Sequence, residues 1–116
     1  MLLQILKAKL KKVIITDANV DYPGSITIDP DLIEAAGMVS YERVEVNSVN
    51  GKTRLTTYIL PGERGSGQVE MNGGAANFFE AGDEVHVNCF AISEPGEAPF
   101  QPIVIYTDEN NKVIGN

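Results

Sequence analysis

Short strand-like segments, separated by glycine, proline and asparagine turns, are the feature that most limits what this chain can fold into. Residues 43–49 alternate polar and apolar side chains, Asn50-Gly51 is a strong hairpin signal, and residues 53–60 supply a partner strand. Similar patterns predict further strands at 2–16, 26–28, 68–71, 84–93 and 102–106. Because helical segments do not alternate with these strands, the sequence predicts a mainly β fold, either a barrel or a sandwich.

Two short helical patterns interrupt the strands. Asp29-Pro30 begins the first, with Asp29 as N-cap and Pro30 at the first helical position, and Gly37 ends it. The second is a brief helical turn within residues 72–80. Residues 94–99 are expected to form an exposed loop, and the tail from Asp108 is expected to be loosely ordered.

Length and charge narrow the class of protein. The chain has 116 residues, enough for one domain around a single core, and a formal net charge of −7. Nucleic acids and anionic membranes need a basic surface, so neither is an expected partner. The first apolar run, residues 1–6, precedes its lysines and is too short to span a bilayer, so we expect no export signal. A single cysteine excludes an internal disulfide, and together these features predict a cytoplasmic protein.

Basic residues concentrate near the N-terminus, at Lys7, Lys9, Lys11 and Lys12. One interpretation is a solvated edge strand that lysines protect from aggregation. The other is a cationic lip for a small anion.

His86 and Cys89 are the first candidates for reactive chemistry. In a strand, however, they point to opposite faces, so Cys89 is predicted in the core and His86 at the surface. One histidine and one cysteine fall short of a metal site, so no metal is predicted. The glycine loop 62–67 lacks the lysine and helix of a phosphate cradle.

The dipeptide Gly24-Ser25 places a hydroxyl directly after a glycine, where a turn opens into a strand. Glycine accepts backbone angles closed to other residues, so a serine there can attack the preceding peptide bond and move the acyl group from nitrogen to oxygen. The dipeptide alone is typical of a turn. Gly65-Ser66 is the same dipeptide in a plain polar turn.

The segment 53–60 carries the second candidate. Arg54, Thr56 and Tyr58 lie on one strand face. A guanidinium suits a carboxylate, and the Tyr58 phenol could deliver a proton to the α-carbon of a small acid held by Arg54. An Arg–Tyr packing pair on an exposed face is the alternative.

Several motifs in the same order resemble the pyruvoyl-dependent aspartate 1-decarboxylase family over essentially the whole chain. They are the first strand with Lys9, then residues 22–29, Asn50-Gly51, residues 54–58, residues 63–67 and residues 72–76. The resemblance implies a double-ψ β-barrel with short helices and a homotetramer with active sites between subunits. It also implies conversion of L-aspartate to β-alanine and CO₂ for the biosynthesis of pantothenate, a coenzyme A precursor.

The resemblance further implies that a single domain, residues 1–116, cleaves itself between Gly24 and Ser25 into chains 1–24 and 25–116. Ser25 would become a covalent pyruvoyl group, which forms a Schiff base with the substrate and acts as the electron sink. The sequence leaves open whether a helper protein is needed for this maturation.

Roles for the remaining site residues follow from the resemblance. Tyr58 would reprotonate the carbanion, Arg54 and Lys9 would meet the two carboxylates, and Thr57 would assist backbone cleavage and contact the substrate. The residues expected to line the substrate pocket are Asn72, Gly73, Gly74 and Ala75.

Two positions depart from the usual pattern of relatives: Lys11 replaces a frequent His, and Gly74 replaces an Ala. A non-catalytic double-ψ β-barrel that serves in binding or assembly is the alternative class.

Overall fold

Nine strands form one mixed sheet in the computed structural model, which describes residues 1–97 and 101–115. The strands are β1 Leu3–Ile14, β2 Asp17–Asn19, β3 Ser25–Ile28, β4 Arg43–Ser48, β5 Arg54–Pro61, β6 Val69–Asn72, β7 Glu84–Ser93, β8 Ile103–Thr107 and β9 Val113–Gly115. The helices are α1 Pro30–Ala35 and two short 3-10 helices, Gly73–Phe78 and Pro95–Glu97. Within the described ranges, no helix has the length and apolarity needed to cross a membrane.

The strand order is β2-β6-β3-β5-β4-β7-β1-β8-β9. Three neighbouring pairs are parallel, namely β1 with β8, β2 with β6, and β3 with β5. Pairing among the described strands does not join β2 to β9, so the sheet itself is not closed. The prediction of a mainly β fold is confirmed, and the arrangement is consistent with a double-ψ β-barrel.

The predicted hairpin of β4 and β5 is confirmed, but its loop is longer than a two-residue Asn-Gly turn. The backbone N–H of Ser48 donates to the Thr53 carbonyl, which leaves four residues in the loop. The N–H of Val49 donates to the Glu84 carbonyl at 2.9 Å. The loop therefore also pairs with the start of β7, a contact that the local sequence does not encode.

Asp29 caps α1 as predicted and also holds the glycine loop that follows β5. Its buried carboxylate accepts hydrogen bonds from the backbone N–H groups of Asp31 (2.8 Å), Gly65 (3.0 Å) and Gly67 (2.8 Å). Burial alone would raise the pKa of this carboxyl, but the three N–H donors outweigh burial and the pKa is lowered. Asp29 directly follows β3, so it fixes the far end of the strand that begins with Ser25.

The lysine-rich β1 is not an edge strand, and that interpretation of the lysines is wrong. β7 pairs with one side of β1, and β8 pairs with the other side in parallel. Two of the four lysines have individual partners: Lys7 forms a 2.6 Å salt bridge with Glu42, and the Lys11 ammonium lies 5.4 Å from the centroid of the Tyr106 ring.

The prediction of a loose tail from Asp108 is also wrong. Asn111 is buried in a left-handed conformation with φ 59°, and β9 then pairs with β8. The Asn111 amide oxygen accepts a hydrogen bond from the N–H of Ile14 at 2.9 Å. The amide nitrogen donates to the carbonyls of Ile14 and Gly67, both at 2.8 Å. One side chain thus ties the tail to both β1 and the glycine loop. In the predicted loop 94–99, residues 94–97 are exposed, and residues 98–99 lie outside the described residues.

Candidate active site

The Gly24-Ser25 junction lies where the chain enters β3, between β5 and β6. Gly24 is exposed, whereas Ser25 is completely buried. The Ser25 hydroxyl donates to the Pro23 carbonyl at 3.3 Å and accepts from Asn72 Nδ2 at 2.9 Å. The structure therefore separates this serine from Ser66, which is exposed and donates to the Glu63 carbonyl within its own turn.

Asn72 organises the polar contacts around this hydroxyl. Its Nδ2 donates both to Ser25 Oγ and to Thr27 Oγ1, the latter at 2.8 Å. Its Oδ1 is buried and has no hydrogen-bond partner within the part of the chain that the structure describes. A buried amide oxygen without a partner is costly, and such atoms are found at sites that bind or react.

Gly73 faces Gly24 across the pair of β3 and β6. Ser25 is opposite Asn72 in this antiparallel register, so the next position places the two glycines opposite each other. Gly73 has a φ of 68°, and a Cβ built on it would lie 2.6 Å from the Gly24 Cα. Only glycine fits there without a shift. By contrast, Gly74 is exposed and has open space around it, and Ala75 is partly buried against the core.

β5 brings two more of the predicted residues to the junction. Ile26 is in register with Ile59 in the parallel pair of β3 and β5. One position earlier, Tyr58 lies beside Ser25 and Thr57 beside Gly24, with strands about 4.8 Å apart. Ile26 and Ile59 both point into the core, so Tyr58 and Ser25 share the opposite face. Tyr58 is 38% exposed, so a small molecule at this face can reach it.

Arg54 lies at the far end of the same face of β5. It is four residues from Tyr58, roughly 13 Å at the rise of a strand. Both side chains can therefore contact the same small acid only if they lean toward each other. Its Nε donates to Asn47 Oδ1 at 3.1 Å and lies 3.9 Å from Glu45 Oε1. The side chain is 73% exposed. Sequence analysis missed Asn47, whose place directly opposite Arg54 in the hairpin was the available signal.

Lys9 on β1 and Ser25 on β3 are four strands apart in the sheet order. Across the strands that follow, the residues in register with Lys9 are Asn88 on β7, Glu45 on β4 and Thr56 on β5. Measured along the sheet, Lys9 is therefore three strand spacings, roughly 14 Å, from Thr56 on β5. The Lys9 and Thr56 side chains lie on the same face of the sheet. Lys9 is half-buried.

A groove of about 510 Å³ lies on the same face but does not include Ser25. It runs along β4 and β7, and its lining includes Arg43, the cross-strand partner of Tyr58. Phe90 and Ile92, also in its lining, are 43% and 70% exposed. One chain thus presents Tyr58 at the border of an open, partly apolar surface instead of inside a closed pocket.

His86 and Cys89 do not form a reactive pair. Cys89 is fully buried as predicted, and burial, with a hydrogen bond to Glu42, raises the pKa of its thiol to about 12. His86 is half-buried and lies at the surface as predicted, because its hydrogen bond to β1 is exposed. It packs against the bulge in β1, where its Nδ1 accepts from the Lys12 N–H at 3.2 Å. Burial and the neighbouring Lys9 lower the pKa of His86.

Ser25 is buried directly after Gly24, which Gly73 approaches closely, and its hydroxyl oxygen accepts a hydrogen bond from an amide. This arrangement defines a candidate self-processing site in a β fold. Comparison with known proteins gives a consistent result. The family model described as "Aspartate decarboxylase" matches residues 1–114. The chain is 43% identical to aspartate 1-decarboxylase of Carboxydothermus hydrogenoformans, covering 98% of this chain and 91% of the relative. It is 47% identical to the Salinibacter ruber protein of that name, covering 96% and 77%. The chain belongs to the aspartate decarboxylase family.

Proposed function

We propose that this protein is a cytoplasmic aspartate 1-decarboxylase that converts L-aspartate to β-alanine and CO₂ with a pyruvoyl group made from its own Ser25. The β-alanine would supply pantothenate biosynthesis. Family membership supports the decarboxylation. The observation that carries the pyruvoyl origin is the Ser25 hydroxyl, completely buried beside Gly24 and held by Asn72 Nδ2 at 2.9 Å.

The bonds and protons of self-cleavage at this junction balance with only the chain and water. Ser25 Oγ bonds to the Gly24 carbonyl carbon, the peptide C–N bond breaks, and the hydroxyl proton ends on the freed amine. Loss of the Ser25 α-proton then expels the Gly24 carboxylate and leaves a dehydroalanine. Water hydrolyses its imine tautomer, ammonia leaves, and a ketone remains at residue 25.

The residues around Ser25 fit a small carbonyl group. Asn72 Nδ2 donates to Ser25 Oγ in the uncut chain. Because Oγ leaves with the Gly24 carboxylate, cleavage would free this donor for a hydrogen bond to the new carbonyl group or to substrate. Beside this group, Gly73 lies so close to Gly24 that even a Cβ on Gly73 would clash. The pyruvoyl ketone would supply the electron sink for decarboxylation through a Schiff base to the substrate amine.

The surrounding side chains would bind substrate and move the proton. Tyr58, which lies on β5 beside Ser25 of β3, would donate the proton to the α-carbon of the substrate. Arg54 would hold a carboxylate through its Nη groups, since its Nε is engaged with Asn47. Thr57, beside Gly24, would assist backbone cleavage and contact substrate. The turn after Asn72, namely Gly73, Gly74 and Ala75, would line the pocket.

Assembly would complete the site. Lys9 lies roughly 14 Å from β5 within one chain, so it would meet the second carboxylate across a subunit interface in a homotetramer. The exposed Phe90 and Ile92 beside the groove are suited to such an interface.

Turnover of uniformly ¹³C-labelled L-aspartate, followed by NMR, tests this proposal. We expect β-alanine and CO₂ in equal amounts and little turnover of L-glutamate, whose longer side chain separates the two carboxylates further. No turnover of aspartate by cleaved, assembled protein would contradict the proposal and favour a non-catalytic β-barrel that binds or assembles other molecules.

Replacing Arg54 should separate substrate binding from maturation. Arg54→Ala removes a charge-assisted contact worth about 1.5–3 kcal/mol, so kcat/KM for aspartate should fall by at least about tenfold. Chain cleavage should proceed at the wild-type rate, because Arg54 lies far along β5 from the junction. Lys52→Ala removes an exposed cation from the adjacent loop and is the matched control. An unchanged kcat/KM in Arg54→Ala would remove Arg54 from the substrate site.

A further inference from the structure

We propose that Gly73 is a positioning residue for self-cleavage, which holds Gly24 in place for attack by Ser25. This role goes beyond lining a substrate pocket, and it rests on the proposed self-cleavage at the same junction. It concerns the uncut chain, before any substrate can bind.

The contact is between two backbones. A Cβ on Gly73 would lie 2.6 Å from the Gly24 Cα, 2.7 Å from the Gly24 nitrogen and 2.9 Å from the Tyr22 carbonyl oxygen. The absence of a side chain lets the backbone of Gly73 contact the residue that carries the reacting carbonyl. Asn72, one residue earlier, binds the attacking hydroxyl. Adjacent residues of one turn therefore restrain both partners of the reaction.

Gly24 is open on the side that a side chain of its own would occupy. It is exposed, and a Cβ built on it would meet no atom within 4 Å. A side chain at position 73 would have to displace the backbone of Gly24 or Tyr22 by about 1 Å to reach ordinary contact distance. A misplacement of about 1 Å costs an oriented reaction about 100-fold. Because the space outside Gly24 is open, the fold can accommodate the shift.

The test is the rate of chain cleavage in purified precursor, followed by intact mass. We expect Gly73→Ala to cleave at least about 100-fold more slowly than wild type. Gly96→Ala is the control, because Gly96 is exposed, has open space, has no positive φ and lies outside the site. It should cleave at the wild-type rate. Hydroxylamine, which cleaves esters, should release no fragment from Gly73→Ala if the acyl shift itself is blocked.

Gly73→Asn separates the contact from backbone strain. Asparagine tolerates positive φ far better than alanine but carries the same Cβ. Slow cleavage in both variants, with thermal unfolding close to wild type, supports positioning. Rapid cleavage in Gly73→Asn, or cleavage of Gly73→Ala at the wild-type rate, would overturn the proposal. Loss of the unfolding transition in both would also overturn it, because Gly73 would then serve the fold. A wild-type chain that never cleaves would instead overturn the proposed function.

Discussion

Ser25→Ala is expected to remain a single chain and to release no β-alanine from L-aspartate. The substitution removes the hydroxyl that is the nucleophile for the acyl shift and, once acylated, the leaving group of the elimination that yields the ketone, so both activities are lost together. The variant should still fold. Leaving the Asn72 amide without one partner costs about 1–3 kcal/mol, a minor part of the 5–15 kcal/mol typical of a domain. Denaturing gels and a β-alanine assay measure the two outcomes.

Ser66→Ala is the control that the chain itself supplies. Ser66 also follows a glycine, but it is exposed, and its hydroxyl bonds only within its turn. This variant should cleave and turn over aspartate like wild type. Fragmentation at residue 25 in Ser25→Ala, or cleavage lost in Ser66→Ala alone, would place the reactive serine elsewhere.

Tyr58→Phe is expected to lower kcat by about two orders of magnitude or more while leaving chain cleavage intact. Loss of a general acid costs about 10² to 10⁴ in rate. The phenyl ring keeps its contacts, and the hydroxyl belongs to a side chain that is already 38% exposed. Assembly and self-cleavage should therefore match wild type, and borohydride should still trap aspartate on the protein.

Tyr106→Phe is a matched control for this loss. Tyr106 is 42% exposed and lies on β8, four strands away from β5 in the sheet order. Its hydroxyl should be dispensable. Normal turnover in Tyr58→Phe would assign Tyr58 a packing role beside Arg54, the alternative that the sequence pattern leaves open.

Local patterns predicted the local parts of the fold. The alternation in residues 43–49, the Asn50-Gly51 signal and the Asp29 cap each depend on neighbours in sequence, and all are present. Long-range pairing was not predictable in this way. β8 covers the second side of β1 from almost 100 residues away, and the amide of Asn111 reaches Ile14 over 97 positions. Those contacts overturned the edge-strand and loose-tail predictions.

The same distinction between local signals and long-range contacts applies to the candidate site. The motif around Gly24 and Ser25 marked the candidate junction for self-cleavage, but the dipeptide itself does not distinguish Ser25 from Ser66 physically. Burial does so, because β5 and β6 cover Ser25 on both sides. The facing of Gly73 and Gly24 depends on the register of two strands that are more than 40 residues apart, so no local pattern encodes it.

The intact mass of purified wild-type protein tests the central claim most directly. We predict two chains, residues 1–24 ending in a free carboxylate and residues 25–116 beginning with a pyruvoyl group in place of Ser25. The larger chain should resist N-terminal sequencing. An uncut chain of 116 residues that nevertheless converts aspartate to β-alanine would contradict the claim that Ser25 is the source of the cofactor.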